Sequence, residues 1–261
     1  MNILEEIIKK KIKEIDLDKK VISLNEIKKL ITKKNFNFKK QLDKFTLQKK
    51  IAIIAEVKKA SPSKGIFLEK FDHLQIAKEY IKAGAACLSI LTEKNYFLGN
   101  KQYLKDIKSK TNLPILCKDF FIDPYQVYEA ALLGADCILI LLKSTNDKLT
   151  KSLYEASLEC GMDSIIEVHD EHEMQIALKY KDAIIGINNR NLETFETDIN
   201  TTVNIFNKFD LKNRTIICES GINTKTDINF IMEKTGISNF LIGESLIKSD
   251  SIFDKLVELN S

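Results

Sequence analysis

Apolar and polar residues alternate with two different rhythms along this chain. Over residues 2–50 isoleucine and leucine recur at helical spacing between lysines, as in E-E-I-I-K-K-K-I-K-E-I (5–15). That pattern predicts two or three short amphipathic helices with lysine-rich outer faces. From Ile51 the rhythm changes to short β-rich runs separated by helical stretches. The predicted strands are I-A-I-I-A-E-V (51–57), C-L-S-I-L (87–91), I-L-C-K (115–118) and C-I-L-I-L (137–141), then S-I-I-E-V (164–168), A-I-I-G-I (183–187), T-I-I-C-E (215–219) and N-F-L-I-G (239–243). Helical patterns lie between them, for example over 124–133, 145–160 and 224–234. Gly84, Gly134, Gly161 and Gly236 stand just ahead of strands, where glycine closes a helix and turns the chain back.

Strict β/α alternation with near-continuous apolar strands implies a parallel sheet covered on both faces. Eight such units favour a closed barrel over an open, doubly wound sheet. No G-x-G-x-x-G follows any strand, so a dinucleotide fold loses its main support. The length of 261 residues suits one (β/α)8 unit. The expected fold is α/β, a (β/α)8 TIM barrel. Residues 1–261 form one domain, with 1–50 as an N-terminal helical extension.

Charge changes this picture little. The net charge is +3, but residues 1–50 hold 15 lysines against 7 acids and carry +8, leaving −5 for the remainder. The lysine spacing, without interleaved aromatics, reads as a solvated helical face and not as a nucleic-acid surface. The five cysteines (87, 117, 137, 160, 218) include no C-x-x-C pair, and four lie inside apolar runs. They read as small buried hydrophobes of a reducing compartment. Glu5 and Glu6 interrupt the only early apolar stretch, so no signal peptide is expected, and the longest apolar run, 137–142, is too short to span a bilayer. The expectation is a cytoplasmic protein, compatible with a monomer, that binds no nucleic acid and no membrane.

In such barrels the chemistry stands at the C-terminal strand ends. Glu56 and Lys58 end the first strand two residues apart and so share a face. Lys118 ends the third strand, Glu167 the fifth, Asn188 and Arg190 follow the sixth, Glu219-Ser220-Gly221 the seventh and Gly243-Glu244 the eighth. Charges inside a barrel mouth are costly unless paired or used. Three cations (Lys58, Lys118, Arg190) are expected to face three carboxylates (Glu56, Glu167, Glu219). Glycines after the last two strands read as an anion cradle, with a short helix behind the eighth strand adding its dipole. A lysine flanked by a second cation in a partly dry pocket is expected to have a lowered pKa.

Several stretches together resemble the indole-3-glycerol-phosphate synthases. They include I-I-A-E-V-K-K-A-S-P-S-K-G (53–65), L-T-E-K-N-Y-F-L-G (91–99), P-I-L-C-K-D-F-F-I-D-P-Y-Q-V-Y-E-A (114–130), I-E-V-H-D (166–170), G-I-N-N-R-N-L (186–192), E-S-G-I (219–222) and L-I-G-E-S-L (241–246). The resemblance implies ring closure, decarboxylation and dehydration of a small phosphorylated substrate, 1-(2-carboxyphenylamino)-1-deoxyribulose 5-phosphate, in tryptophan biosynthesis, with no metal and no organic cofactor. It assigns Lys118 as the general acid of ring closure and Glu167 as the general base of dehydration. Lys58 anchors a substrate anion and can donate a proton in dehydration; Glu56 and Asn188 orient Lys58 and the developing hydroxyl. Glu219, Ser220 and Arg190 complete the polar ring. Ser61, Gly221, Gly243 and the backbone of Glu244 take phosphate, and Phe97 and Phe120 pack on the substrate's aryl ring. Residues 61–65 are expected to form a mobile lid.

His169 and His172 have no serine or cysteine nucleophile pattern near them and read as structural. Asn100 follows F-L-G where the family often has serine, and altered loop packing is expected there. Two rivals remain at this point. A phosphoribosylanthranilate isomerase would need a Cys–Asp pair at the mouth, for which only Cys117 is placed. A non-catalytic barrel that docks a partner through its basic extension would lack the acid or the base, and both are present.

Overall fold

The computed structural model describes residues 3–192 and 194–261. Its centre is a closed parallel barrel: β1 (Ala52–Val57), β2 (Cys87–Leu91), β3 (Ile115–Lys118), β4 (Cys137–Leu141), β5 (Asp163–Val168), β6 (Ile184–Asn188), β7 (Ile216–Glu219) and β8 (Asn239–Ile242). β1 pairs with β2, Ile54 opposite Cys87, and also with β8, Ala52 opposite Asn239, which closes the sheet. The eight strands lie where the sequence pattern put them. Every strand residue is buried except Lys118, which is partly exposed at the mouth.

Alternation divides each strand between two cores. Ile54, Leu116, Leu139, Ile165, Ile184, Ile217 and Leu241 point inward and fill the barrel. Ile53, Leu88, Ile138, Ile166, Ile185 and Phe240 belong to the larger outer core beneath the helices. Cys117 belongs to the outer core as well, beside Thr92, while its neighbour Lys118 turns inward. Burial pushes the Cys117 thiol up to about 12. The acid–base cysteine of the isomerase alternative is therefore absent from the mouth. All five cysteines are free and buried.

The N-terminal extension comprises α1 (Ile3–Val21), α2 (Leu24–Leu30) and α3 (Asn37–Leu47). Phe38 and Leu42 of α3, both fully buried, join the interior cluster and close the barrel's N-terminal end. Gly161, at φ +67°, ends the helix Asp147–Cys160 where the extension crosses it. Its carbonyl accepts the Phe36 N–H at 2.9 Å, and a Cβ there would overlap the Lys34 carbonyl. Only glycine fits both demands.

α1 differs from expectation twice. It has 19 residues instead of being short, and its inner stripe is Ile7, Lys11, Glu14 and Ile15. Lys11 is thus not part of the solvated face. Its Nζ lies 2.8 Å from Asp119 and 3.2 Å from Glu14, out of contact with water. Burial works against its charge, but Asp119 and Glu14 outweigh it and hold the pKa above the ordinary lysine value. Asp119 also accepts the Thr92 hydroxyl at 2.7 Å. The extension therefore braces the residue directly after Lys118. Removing one partner of a buried pair typically costs about 3–5 kcal/mol. Lys11→Ala is expected to show a loss of that order in urea unfolding, whereas exposed Lys13→Ala should stay within about 0.5 kcal/mol of the parent. Equal losses from the two would contradict this placement of Lys11.

Candidate active site

Alternate strands of a (β/α)8 barrel supply alternate layers of inward side chains. At the C-terminal mouth the odd strands contribute Glu56 (β1), Lys118 (β3), Glu167 (β5) and Glu219 (β7). Two residues down these strands stand Ile54, Leu116, Ile165 and Ile217, so the charged layer rests on an apolar one. The even strands make room for it with glycine. A Cβ on Gly243 would lie 2.6 Å from Glu56 Oε1, and one on Gly186 of β6 would overlap Glu219 Oε1.

Lys118 is the hub. Its Nζ lies 3.3 Å from Glu56 and 3.3 Å from Glu219. Burial works to lower its pKa, but Glu219, Glu56 and Glu167 outweigh burial and raise it. The expected lowering is thus reversed. The second cation, Lys58, is occupied 2.5 Å away by the same Glu56, and three carboxylates surround Lys118. Burial opposes charge on Glu56 too, yet Lys58 and Lys118 bring it down to about 2. Glu219 behaves differently. Burial raises it, Lys118 only partly offsets this, and nearby Glu167 adds repulsion, leaving it at about 7. One of its oxygens, Oε1, is buried without a hydrogen-bond partner.

Glu167 is held from the opposite side. Asn188 Nδ2 donates to its Oε1 at 2.8 Å, and His169 Nε2 lies 3.3 Å from the same oxygen. Burial would raise the Glu167 pKa, but His169, Lys118 and Asn188 bring it down to about 2. Asn188 therefore serves Glu167 and not Lys58. Its Oδ1 accepts the Arg190 N–H at 3.0 Å.

These groups border a cleft of about 720 Å³. Glu56, Lys58, Phe97, Lys118, Phe120, Glu167, Asn188, Arg190, Ser220, Gly221, Gly243 and Glu244 all line it. Phe97 and Phe120 are half-buried, with ring centres 6.2 Å apart, so they face the cleft and are not core residues. Glu219 sits just beneath, 1% exposed. Ser61 is beside the cleft in a small hairpin, in which Ala60 and Ser61 pair with Ile66 and Gly65; its hydroxyl is buried and unpartnered. Ser63 and Lys64 of the same hairpin, within the stretch expected as a lid, line the cleft.

After β7, Ser220 (φ +65°) and Gly221 (φ +80°) are both left-handed, and Asn189 Nδ2 holds the Ser220 carbonyl at 3.0 Å. After β8 comes the four-residue helix Glu244–Ile247. Arg190 does not meet the expected carboxylates. It lies two residues beyond the end of β6, above the charged layer, and bonds Glu244 at 3.2 Å and the Phe195 carbonyl at 3.2 Å. It ties the loop after β6 to the helix after β8. Asn100 likewise departs from expectation: it caps the helix Lys101–Lys108, its side chain accepting the Gln102 N–H at 2.8 Å. Serine and asparagine cap helices equally well, so the exchange leaves the loop intact.

A closed barrel whose acid and base groups converge at the C-terminal mouth defines a (β/α)8-barrel enzyme. Solved structures agree on the fold. The 3-hexulose-6-phosphate synthase from Salmonella typhimurium superposes with a TM-score of 0.65 at 12% identity, covering 80% of this chain and 97% of that one. The phosphoribosylanthranilate isomerase from Thermotoga maritima gives 0.57 at 10%, covering 80% and 96%. Sequence comparison separates this chain from both. The family model described as indole-3-glycerol phosphate synthase matches residues 4–259. The indole-3-glycerol phosphate synthase of Thermoanaerobacter sp. (strain X514) is 42% identical over 255 residues, covering 97% of this chain and 95% of its own. That of Legionella pneumophila (strain Paris) is 45% identical over 200 residues, 77% of each. The chain belongs to the indole-3-glycerol phosphate synthase family, whose members are carboxy-lyases.

Proposed function

We propose that the chain closes the pyrrole ring of indole, and that the charged layer at the barrel mouth divides the work. The substrate, 1-(2-carboxyphenylamino)-1-deoxyribulose 5-phosphate, carries a phosphate and a carboxylate. The ring carbon bearing the carboxylate attacks the ketone. A carbon–carbon bond forms, and the ketone oxygen takes a proton from Lys118. Carbon dioxide then leaves and the aryl ring recovers its aromaticity. Finally the new hydroxyl departs as water while Glu167 removes a proton from the neighbouring carbon. Lys58 grips a substrate anion and supplies the proton that the leaving hydroxyl needs, with Glu56 fixing its position.

The observation that carries this reading is the placement of Lys118, protonated among Glu56 and Glu219, in the same small cup as ionised Glu167. An acid and a base are both charged for their tasks before substrate enters. Phe97 and Phe120 offer an aryl slot on the wall. Ser220, Gly221, Gly243 and the Glu244 backbone, all on the cleft wall, take the phosphate. The cup is complete within one chain, which supports a working monomer; sedimentation velocity tests that. The five buried thiols fit a reducing cytoplasm. Among the described residues no helix is long and apolar enough to cross a membrane.

Purified chain mixed with the carboxyphenylamino substrate should produce indole fluorescence and release one carbon dioxide per product. Consumption without indole formation, or no consumption, overturns the proposal.

A further inference from the structure

His169 follows Glu167 by two residues, and its side chain is only 5% exposed. Both ring nitrogens face carboxylate oxygens. Nδ1 is hydrogen-bonded to Glu173 Oε2 at 3.1 Å, while Nε2 lies 3.3 Å from Glu167 Oε1, an ion-pair distance without hydrogen-bond geometry. Glu173 is itself fixed. Its Oε2 accepts the backbone N–H of His169 at 2.7 Å, and its own N–H is bonded by Asp170, the N-cap of the helix Glu171–Ala177. A neutral imidazole would present a lone pair to one of these two carboxylates. Only the doubly protonated ring sets positive charge against both carboxylates.

The chemistry gives this cation a task. Glu167 is buried beside Glu219 and near Lys118, the lysine shared with Glu56 and Glu219. When Lys118 gives its proton to the ketone, its charge disappears from the cup. Burial and the neighbouring carboxylates would then drive Glu167 to pick up a proton before dehydration begins. A second cation that does not take part in ring closure prevents this.

We propose that His169 is a positioning residue of the reaction: as an imidazolium clamped by Glu173, it fixes the side chain of Glu167 and keeps that carboxylate ionised between the two proton-transfer steps. The inference rests on the assignment of Glu167 as the base. The charged groups around the pair are consistent with it. Lys118 and Glu219 face Glu167 from β3 and β7, and Asn188 from β6. On the far side of His169 an open cavity is bordered by Lys143, Asp170, Arg190, Glu196 and Asp198. Burial pulls the His169 pKa down, but Glu167 and Glu173 outweigh it and carry it up to about 9.

Two experiments test the proposal. The first uses the unaltered chain, whose three histidines make the imidazole nitrogens assignable by 15N NMR. His169 should be doubly protonated from pH 6 to 8; a neutral ring at pH 7 overturns the inference. The second is His169→Gln, which removes the charge and keeps a polar side chain. Glu167 should then gain a proton more easily, so the acid limb of kcat should move up by about one pH unit or more, a tenfold loss at the limb for each unit. KM should change little, and activity should recover as pH rises. A residue of purely structural value would lower the unfolding temperature and leave the limb in place, which contradicts the proposal. Glu167→Gln separates this inference from the one beneath it. Should that variant make indole at the parental rate, the base assignment fails; should it be slow while His169→Gln keeps the parental limb, only the role of His169 fails. In the double variant, His169→Gln should cost nothing further.

Discussion

Lys118→Ala is expected to lower turnover by on the order of 10² to 10⁴, the usual value of a placed general acid. The loss should fall on the first chemical step. No burst of carbon dioxide should precede the block, because the carbon–carbon bond does not form without a proton for the ketone oxygen. The barrel should survive, since its layers below the mouth are apolar and complete. It should nonetheless become sensitive to pH. In the parent, Glu219 sits at about 7, above its ordinary value of 4.5, and Lys118 is the cation that holds it down. A carboxyl with a raised native pKa binds protons more readily folded than unfolded. Its contribution to stability is complete below pH 4.5 and is lost as pH climbs through the native value. Without Lys118 that native value rises further. Urea unfolding of the variant between pH 5 and 8 should therefore show stability falling more steeply with pH than in the parent. Parental turnover in Lys118→Ala would remove the acid from the mechanism.

Glu167→Gln is expected to cost a similar factor at a different step. Glutamine keeps the length of the side chain and an oxygen for Asn188, so the substrate should still bind and close its ring. Lys118 loses one of three carboxylates and keeps Glu56 and Glu219, both 3.3 Å away. Carbon dioxide should appear in a burst approaching one equivalent per site, while indole fluorescence lags behind it. Gas release and indole formation that stay strictly coupled, at whatever rate, would show that Glu167 does not act on the hydroxylated intermediate.

The contrast between these variants follows from where the charges lie, and much of that was legible along the chain. Inward positions alternate, so Glu56 and Lys58 had to share a face, and strand ends ranked Lys118, Glu167 and Glu219 together. What spacing could not show was partnership. Lys11 looks like any other of the lysines in its helix, yet it is the one that Asp119 and Glu14 bury. Arg190 stands above the layer that its place after the strand predicts and pairs with Glu244 instead. The expected depression of the lysine pKa assumed a cation beside a cation, whereas the fold sets Glu56 between Lys58 and Lys118. Along the sequence His169 reads as structural, because no nucleophile pattern lies near it. Its importance depends on Glu173, a turn further on in the next helix, and only the folded chain aligns the three. The sequence pattern marks the glycines as helix ends and an anion cradle. Gly186 and Gly243 have another role, giving Glu219 and Glu56 the space to lie flat across the mouth.

The most direct test of the shared cup is a crystal structure with a substrate analogue whose ketone is reduced to an alcohol, so that it binds and cannot react. The alcohol oxygen should lie within hydrogen-bonding distance of Lys118 Nζ, with the aryl ring beside Phe97 and Phe120 and the phosphate against Gly221 and Gly243. An analogue seated with its alcohol turned away from Lys118, or outside the cleft altogether, would contradict the account.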